Sequence, residues 1–198
     1  MKETYQKRAL LLSAATVGYN VIEGIAAVTI GMITNSSALV AFGLDSFTES
    51  LSGSVMIWRF GKNRDDEDET KAERRALKLV GYTFFILGAY VLFEAGKQLF
   101  GQEAPDKNLF GIVVAVLSLI IMPALMRAKY TVGKQLGSKS LVADSKQTLA
   151  CIIMSGVLLL GVGLNYLFGI WWADPVAGVI IALLLFHEGK EALESDED

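Results

Sequence analysis

The sequence predicts an all-α integral membrane protein with six transmembrane helices and both termini in the cytoplasm. Three observations carry that prediction. Of 198 residues, 53% are hydrophobic against 20% charged, and the mean hydropathy is +0.44. The charges gather at the N-terminus, between 59 and 78, near 97–107, near 127–139 and after 187, leaving six apolar stretches. The basic residues then fall almost entirely on one side of those stretches. A net charge of −3 with no basic face excludes nucleic-acid binding, and the same pattern excludes disorder and coiled coil. A single cysteine excludes an intramolecular disulfide framework.

Taken in order, the stretches are 9–31, 38–60, 76–100, 109–126, 141–168 and 171–186, within one domain spanning 1–198. A helix needs about 20 residues to cross a ~30 Å hydrocarbon core, so the fourth and sixth lie near the lower limit. Lipid offers the backbone no hydrogen-bond partner, which restricts spans to helices or barrel strands. Their length, and the absence of period-two alternation, select helices. The first stretch begins too deep and runs too long for a cleaved signal peptide. Pro123 is expected to kink or end the fourth. Asp174-Pro175 reads as a helix N-cap with proline at the first helical position, and Trp58, Trp171 and Trp172 read as interfacial anchors.

Orientation follows from lysine and arginine. The N-terminus (Lys2, Lys7, Arg8), the 59–78 loop, the 127–139 loop and Lys190 together carry fifteen, and the other side carries only Lys97 and Lys107. Lys146 is left inside the fifth span, able to snorkel cytoplasmically or to pair with an intramembrane acid.

Five carboxylates fall inside the spans: Glu23, Asp45, Glu49, Glu94 and Asp144. Each costs about 2.5–3.5 kcal/mol near the bilayer centre. Some can be plain helix-packing hydrogen bonders, and Glu94 has Lys97 three residues on as a local ion partner. The pair Asp45 and Glu49 is different, because residues four apart share one helix face. Two carboxylates side by side in lipid repel each other, and a cation between them removes the repulsion.

An internal repeat strengthens this reading. Ser36-Ser37-Ala38-Leu39-Val40-Ala41 matches Ser138-Lys139-Ser140-Leu141-Val142-Ala143 at an offset of 102, which brings Asp45 onto Gln147 and Glu49 onto Cys151. The second and fifth spans run in opposite directions, the inverted arrangement associated with midplane sites in transporters. Asp45 lies nine residues beyond Ser36 and Gln147 nine beyond Ser138, about 13–14 Å at 1.5 Å per residue. The four side chains therefore overlap near mid-membrane, in the number a tetrahedral Zn²⁺ prefers. Against this, Gln147 can simply hydrogen-bond between helices, and a lone buried cysteine is often inert.

The stretches 36–49 (SSALVAFGLDSFTE) and 138–151 (SKSLVADSKQTLAC) resemble the two metal-binding helices of the cation diffusion facilitator family. Asp174-Pro175 and the Tyr90-to-Glu94 region are also similar to that family. The resemblance implies six helices, a midplane divalent-ion site, export from the cytoplasm in exchange for protons, and a homodimer. It implies acidic ligands at Asp45 and Glu49. Gln147 and Cys151 stand where the family carries His and Asp, and Asp144, one turn before, is a substitute ligand or proton acceptor. A thiolate suits Zn²⁺ better than Mg²⁺ or Mn²⁺, so Zn²⁺ is the expected cargo. No tightly bound cofactor is implied. Typical members continue into a cytoplasmic domain, for which residues 188–198 are too few.

Glu23, with Asn20 one turn before it, is expected to line the ion path or accept protons. The run Asp65–Glu69, the acidic end 194–198 and His187 are expected to be solvated or interfacial. The Asn35-Ser36-Ser37 sequon lies too close to the membrane for glycosylation. The predicted function is metal/proton antiport with lipid, divalent metal ion and protons as partners. The absence of a targeting segment favours a bacterial inner membrane. Two other readings stand beside it. A non-transporting metal-binding or scaffold protein of the same fold would bind metal without flux. An intramembrane enzyme would need a nucleophile and base, or several histidines, and the chain has one histidine.

Overall fold

A computed structural model describes residues 2–61 and 71–194, so the Asp65–Glu69 run and the last four residues lie outside the described residues. Six helices occur among them: α1 (Lys2–Thr34), α2 (Ser37–Gly61), α3 (Lys71–Gly101), α4 (Leu109–Leu136), α5 (Lys139–Phe168) and α6 (Ala173–Glu194). The segments Glu3–Thr34, Lys78–Gly101, Leu109–Leu136 and Lys139–Phe168 are long and apolar enough to cross a membrane by length and composition. α2 falls short because it carries Asp45, Glu49 and a run of hydroxyl side chains, and α6 because His187, Glu188 and Lys190 occupy its last turns. α2 can be polar because it is enclosed, packing on α1, α3, α5 and α6. Its Ser46, Thr48, Ser50 and Ser52 are all buried. Large apolar side chains such as Ile22, Met32, Phe93, Ile120 and Leu160 instead point outward. This is a protein turned toward lipid, with its polar groups inside.

The helices alternate in direction. On α1–α2, Gly31 meets Val40 and Gly24 meets Phe47; on α3–α6, Gly81 meets Leu193 and Gly88 meets Phe186. On α4–α5, Gly133 meets Val142 and the Ser155 hydroxyl donates to that of Ser118 at 2.9 Å. Small residues at these crossings let backbones approach closely, the usual means of packing helices in lipid. Phe42, Phe84, Met122, Leu158, Ile181 and Leu185 fill the core between them.

The sequence repeat is a structural repeat. α1 ends at Asn35 with φ of 52°, and α4 ends at Gly137 with φ of 69°. After each, a serine turns the chain: Ser36 N–H donates to Gly31 O and Ser138 N–H to Gly133 O, both at 2.9 Å. Each serine hydroxyl then caps the next helix, accepting from Leu39 N–H at 3.2 Å and Leu141 N–H at 3.3 Å. Gly31 and Gly133 sit 102 residues apart, as do all these counterparts.

Three local expectations change. α4 does not stop near residue 126 but continues to Leu136, so the expected 127–139 loop is mostly helix and only Gly137 and Ser138 connect α4 to α5. Pro123 lies inside α4 and does not end it; a proline forfeits one backbone bond, and packing against α5 and α1 holds the rest. Asp174 is not an N-cap of its own helix, which starts one residue earlier. Its carboxylate accepts from the Ser36 hydroxyl and, at 3.4 Å, from Ala38 N–H, so it sits at the start of α2 and ties α6 to it.

The α3–α4 connection is closed by polar contacts. Asn108 caps α4 by accepting from Gly111 N–H at 3.0 Å, and Asn165 Nδ2 donates to Pro105 O at 3.0 Å. Trp171 and Trp172, half-buried and exposed, lie in the turn before α6.

Candidate metal site between the second and fifth helices

α2 delivers Asp45 and Glu49 to the interior one turn apart, 3% and 1% exposed. Opposite them, α5 presents Asp144, Thr148, Cys151 and Ser155, all buried. The helices cross antiparallel, so the pairs meet in reverse order. The Cys151 thiol faces the Asp45 carboxyl, and the Thr148 hydroxyl donates to Glu49 Oε1 at 2.6 Å.

Gln147 is half-buried rather than enclosed. At 100° per residue it lies roughly 70° around α5 from the centre of the inward face, and Thr148 takes the place beside Glu49. The repeat offset aligns the turns faithfully, but the two helices are rotated differently against their partners. Lys146 is exposed.

The residue that sequence reasoning missed is Lys129 of α4. Charge alone assigns it to the 127–139 loop, yet its side chain is fully buried. Its Nζ lies 2.9 Å from Asp144 Oδ2 and 3.8 Å from Glu49 Oε1, and it donates to Thr148 Oγ1 at 3.0 Å. A signal for it existed. Since Ser138 repeats Ser36, the preceding helix should end only at Gly137, which puts Lys129 two turns inside α4.

Asp45 Oδ2, Glu49 Oε2 and Asp144 Oδ1 have no hydrogen-bond partner. Such orphaned oxygens are costly inside a protein unless something fills the space they face. No three His, Cys, Asp or Glu side chains among the described residues converge as a ready-made metal cluster. The acids are held apart, with Asp144 drawn to Lys129.

Glu23 belongs to a neighbouring polar cluster. It accepts from Tyr19 Oη at 2.8 Å and from Ser46 Oγ at 3.0 Å, bridging α1 and α2. Asn20, one turn earlier, is buried with both side-chain polar atoms unpartnered. Glu94 pairs with Lys97 at 2.5 Å on a partly exposed face, and His187 is exposed. Glu188 lies just past the sixth span. Burial, followed by the neighbouring carboxylates of Glu191 and Glu49, raises its carboxyl to about 7.

Apolar helices packed around buried acids define a polytopic membrane protein with a polar interior. Residues 13–195 match the family model of the cation efflux transmembrane domain, and the chain belongs to that family. It is 27% identical over 192 residues to transmembrane protein 163 of Xenopus laevis, covering 96% of this chain and 68% of that protein. It is 26% identical over 162 residues to the manganese efflux system protein MneS of Bacillus subtilis, covering 79% of this chain and 56% of that protein. It is 24% identical over 169 residues to the cation-efflux pump FieF of Shewanella oneidensis, covering 82% and 56%. The chain spans between 53% and 68% of the length of such relatives.

Proposed function

We propose that this chain moves divalent metal ions across a membrane, with zinc as the first choice of cargo, through the site between α2 and α5. The observation that carries the reading is the pair Asp45 and Glu49, buried one turn apart on α2 with an unpartnered oxygen each. Buried carboxylates without partners are retained in membranes where they serve an ion path. Cys151, facing Asp45, supplies the soft donor that favours Zn²⁺ over harder ions, while Gln147, half-buried to one side, and Asp144, paired with Lys129, are the remaining candidate donors. The names of the relatives support metal efflux as a class and include manganese.

The chemistry leads to antiport. Metal binding needs deprotonated ligands, so loading releases protons and reprotonation releases the ion. Rocking of the inverted hairpins would expose the site to each side in turn. Glu23 and Asn20 would serve the proton or ion path beside it. A transporter of this class performs no covalent chemistry, works from a plasma-type membrane such as a bacterial inner membrane, and pairs as a homodimer through helix packing.

The test is zinc and manganese flux in proteoliposomes, with and without a pH gradient, for the parent, Asp45→Ala and Cys151→Ala. Zinc flux that needs the gradient, is lost in Asp45→Ala and is reduced in Cys151→Ala is the expected result. Parental flux in Cys151→Ala would take the thiol out of the ligand set. The buried Lys129 favours a second reading, a metal-binding protein that does not transport, and metal binding without flux for any divalent ion would select it.

A further inference from the structure

Among the described residues Lys129 is the one basic side chain with no exposure, and it sits inside the acid cluster rather than beside it. Its ammonium lies 2.9 Å from Asp144 Oδ2 and donates to Thr148 at 3.0 Å. Thr148 in turn donates to Glu49 Oε1 at 2.6 Å. Glu49 therefore has one oxygen engaged toward α5 and its Oε2 open, while Asp45 keeps Oδ2 open beside Cys151. A lysine ammonium is a compact point charge on a flexible stem, and at this depth it can move between carboxylates but cannot leave them.

We infer that Lys129 is a tethered cation that holds Asp144 out of the ion-binding set and confines the transported ion to Asp45, Glu49 and Cys151. This rests on the metal-binding reading of the site. The charge arithmetic makes Lys129 a specificity-determining residue. Asp45, Glu49, Asp144 and a Cys151 thiolate carry four negative charges, of which one ammonium and one divalent ion offset three. A monovalent ion leaves a second buried negative charge, which a low-dielectric interior penalises.

The alternative, in which Asp144 is itself a ligand, makes an opposite prediction for a double variant. Zinc binding to the full chain in lipid nanodiscs is measured by calorimetry for the parent, Asp144→Asn, Lys129→Met and the combination of both. Neutralising Asp144 releases Lys129 toward Glu49 and Asp45, where it competes with zinc, so Asp144→Asn weakens binding by about tenfold or more. Lys129→Met alone binds at least as tightly as the parent. Removing the ammonium as well returns the double variant to within about threefold of the parent. A double variant as weak as Asp144→Asn, or an Asp144→Asn variant that binds like the parent, overturns the inference. Should Asp144→Asn fail to fold with its lysine unpaired, the neutral double variant decides alone, by binding zinc like the parent or not. A parent that binds neither zinc nor manganese removes the metal-binding reading itself, and the inference with it. That outcome is distinct from parental binding left unchanged by these substitutions.

Discussion

The α1–α2 and α4–α5 hairpins share one backbone device and carry opposite chemistry. Both turn on a residue of positive φ followed by a capping serine, and both press a glycine against the valine four residues beyond that serine. Six residues further in, at the same repeat offset, Ser46 matches Thr148. Ser46 donates to Glu23 of the preceding helix, whereas Thr148 accepts from Lys129 of its preceding helix. The first hairpin thus brings three buried acids, Glu23, Asp45 and Glu49, and the second brings Asp144 with a base to hold it. Repetition here fixes where helices begin and end, while the charges placed between them are free to diverge. The resulting asymmetry puts open carboxylate oxygens on the α2 side and a closed ion pair on the α5 side.

The sharpest way to break this comparison is to remove the charged residue of each hairpin in turn. Lys129→Met strands Asp144 in a dry interior and is expected to cost about 3–5 kcal/mol of stability. Glu23→Gln leaves a neutral amide that still accepts from Tyr19 or Ser46, and is expected to cost about 1–2 kcal/mol. Thermal unfolding of both variants in the same detergent checks the order. Equal losses would mean that the two hairpins hold their buried groups alike, and that the Lys129 pair carries no special weight.

A smaller effect tests the shared device itself. An added Cβ at Gly31 would fall 2.8 Å from Val40 N, and one at Gly133 would fall 3.1 Å from Val142 N. Crowding against backbone cannot be relieved by a rotamer change, so both alanine substitutions destabilise, by about 1–3 kcal/mol. Gly31→Ala is expected to cost the more of the two. The reverse order, read from the same unfolding curves, would show that the second hairpin is packed more rigidly than its spacing implies.

These variants also mark what was legible in the sequence. Hydropathy and basic-residue bias gave six helices and their order, and the repeated Ser-x-x-Leu-Val gave both hairpin turns. The end of α4 was hidden because charged residues after Met126 look like a loop to any hydropathy argument. Arg127, Lys129 and Lys134 are nonetheless helical, and Lys129 is tolerated only because acids on two other helices meet it. Thr148 was passed over because register at a helix crossing depends on rotation about the axis, which an aligned offset does not contain. Asp174 was read as a local cap because its real partners, Ser36 and Ala38, lie on a different helix. Contacts between distant helices escape local signals in each case.

The smallest expected effect sharpens the asymmetry at the C-terminal end of α6. Glu188 lies beyond the span, half-buried, with Glu191 and Glu49 among its neighbours. Burial first, and those carboxylates second, raise its carboxyl to about 7 from an ordinary 4.5. A carboxyl whose charged form is disfavoured in the folded protein costs nothing below its ordinary value. The cost grows as pH rises from there, and is fully present above about 7. Glu188→Gln should therefore leave thermal stability near pH 4.5 almost unchanged and raise it at pH 8. If the acidic field of the first hairpin reaches this far, Glu49→Gln should shrink the benefit of Glu188→Gln at pH 8. Neutralising Asp144 together with Lys129 should not, since that pair carries no net charge. An equal shrinkage from both would mean that the ion pair is not closed, and that the two halves of the site present the same field to Glu188.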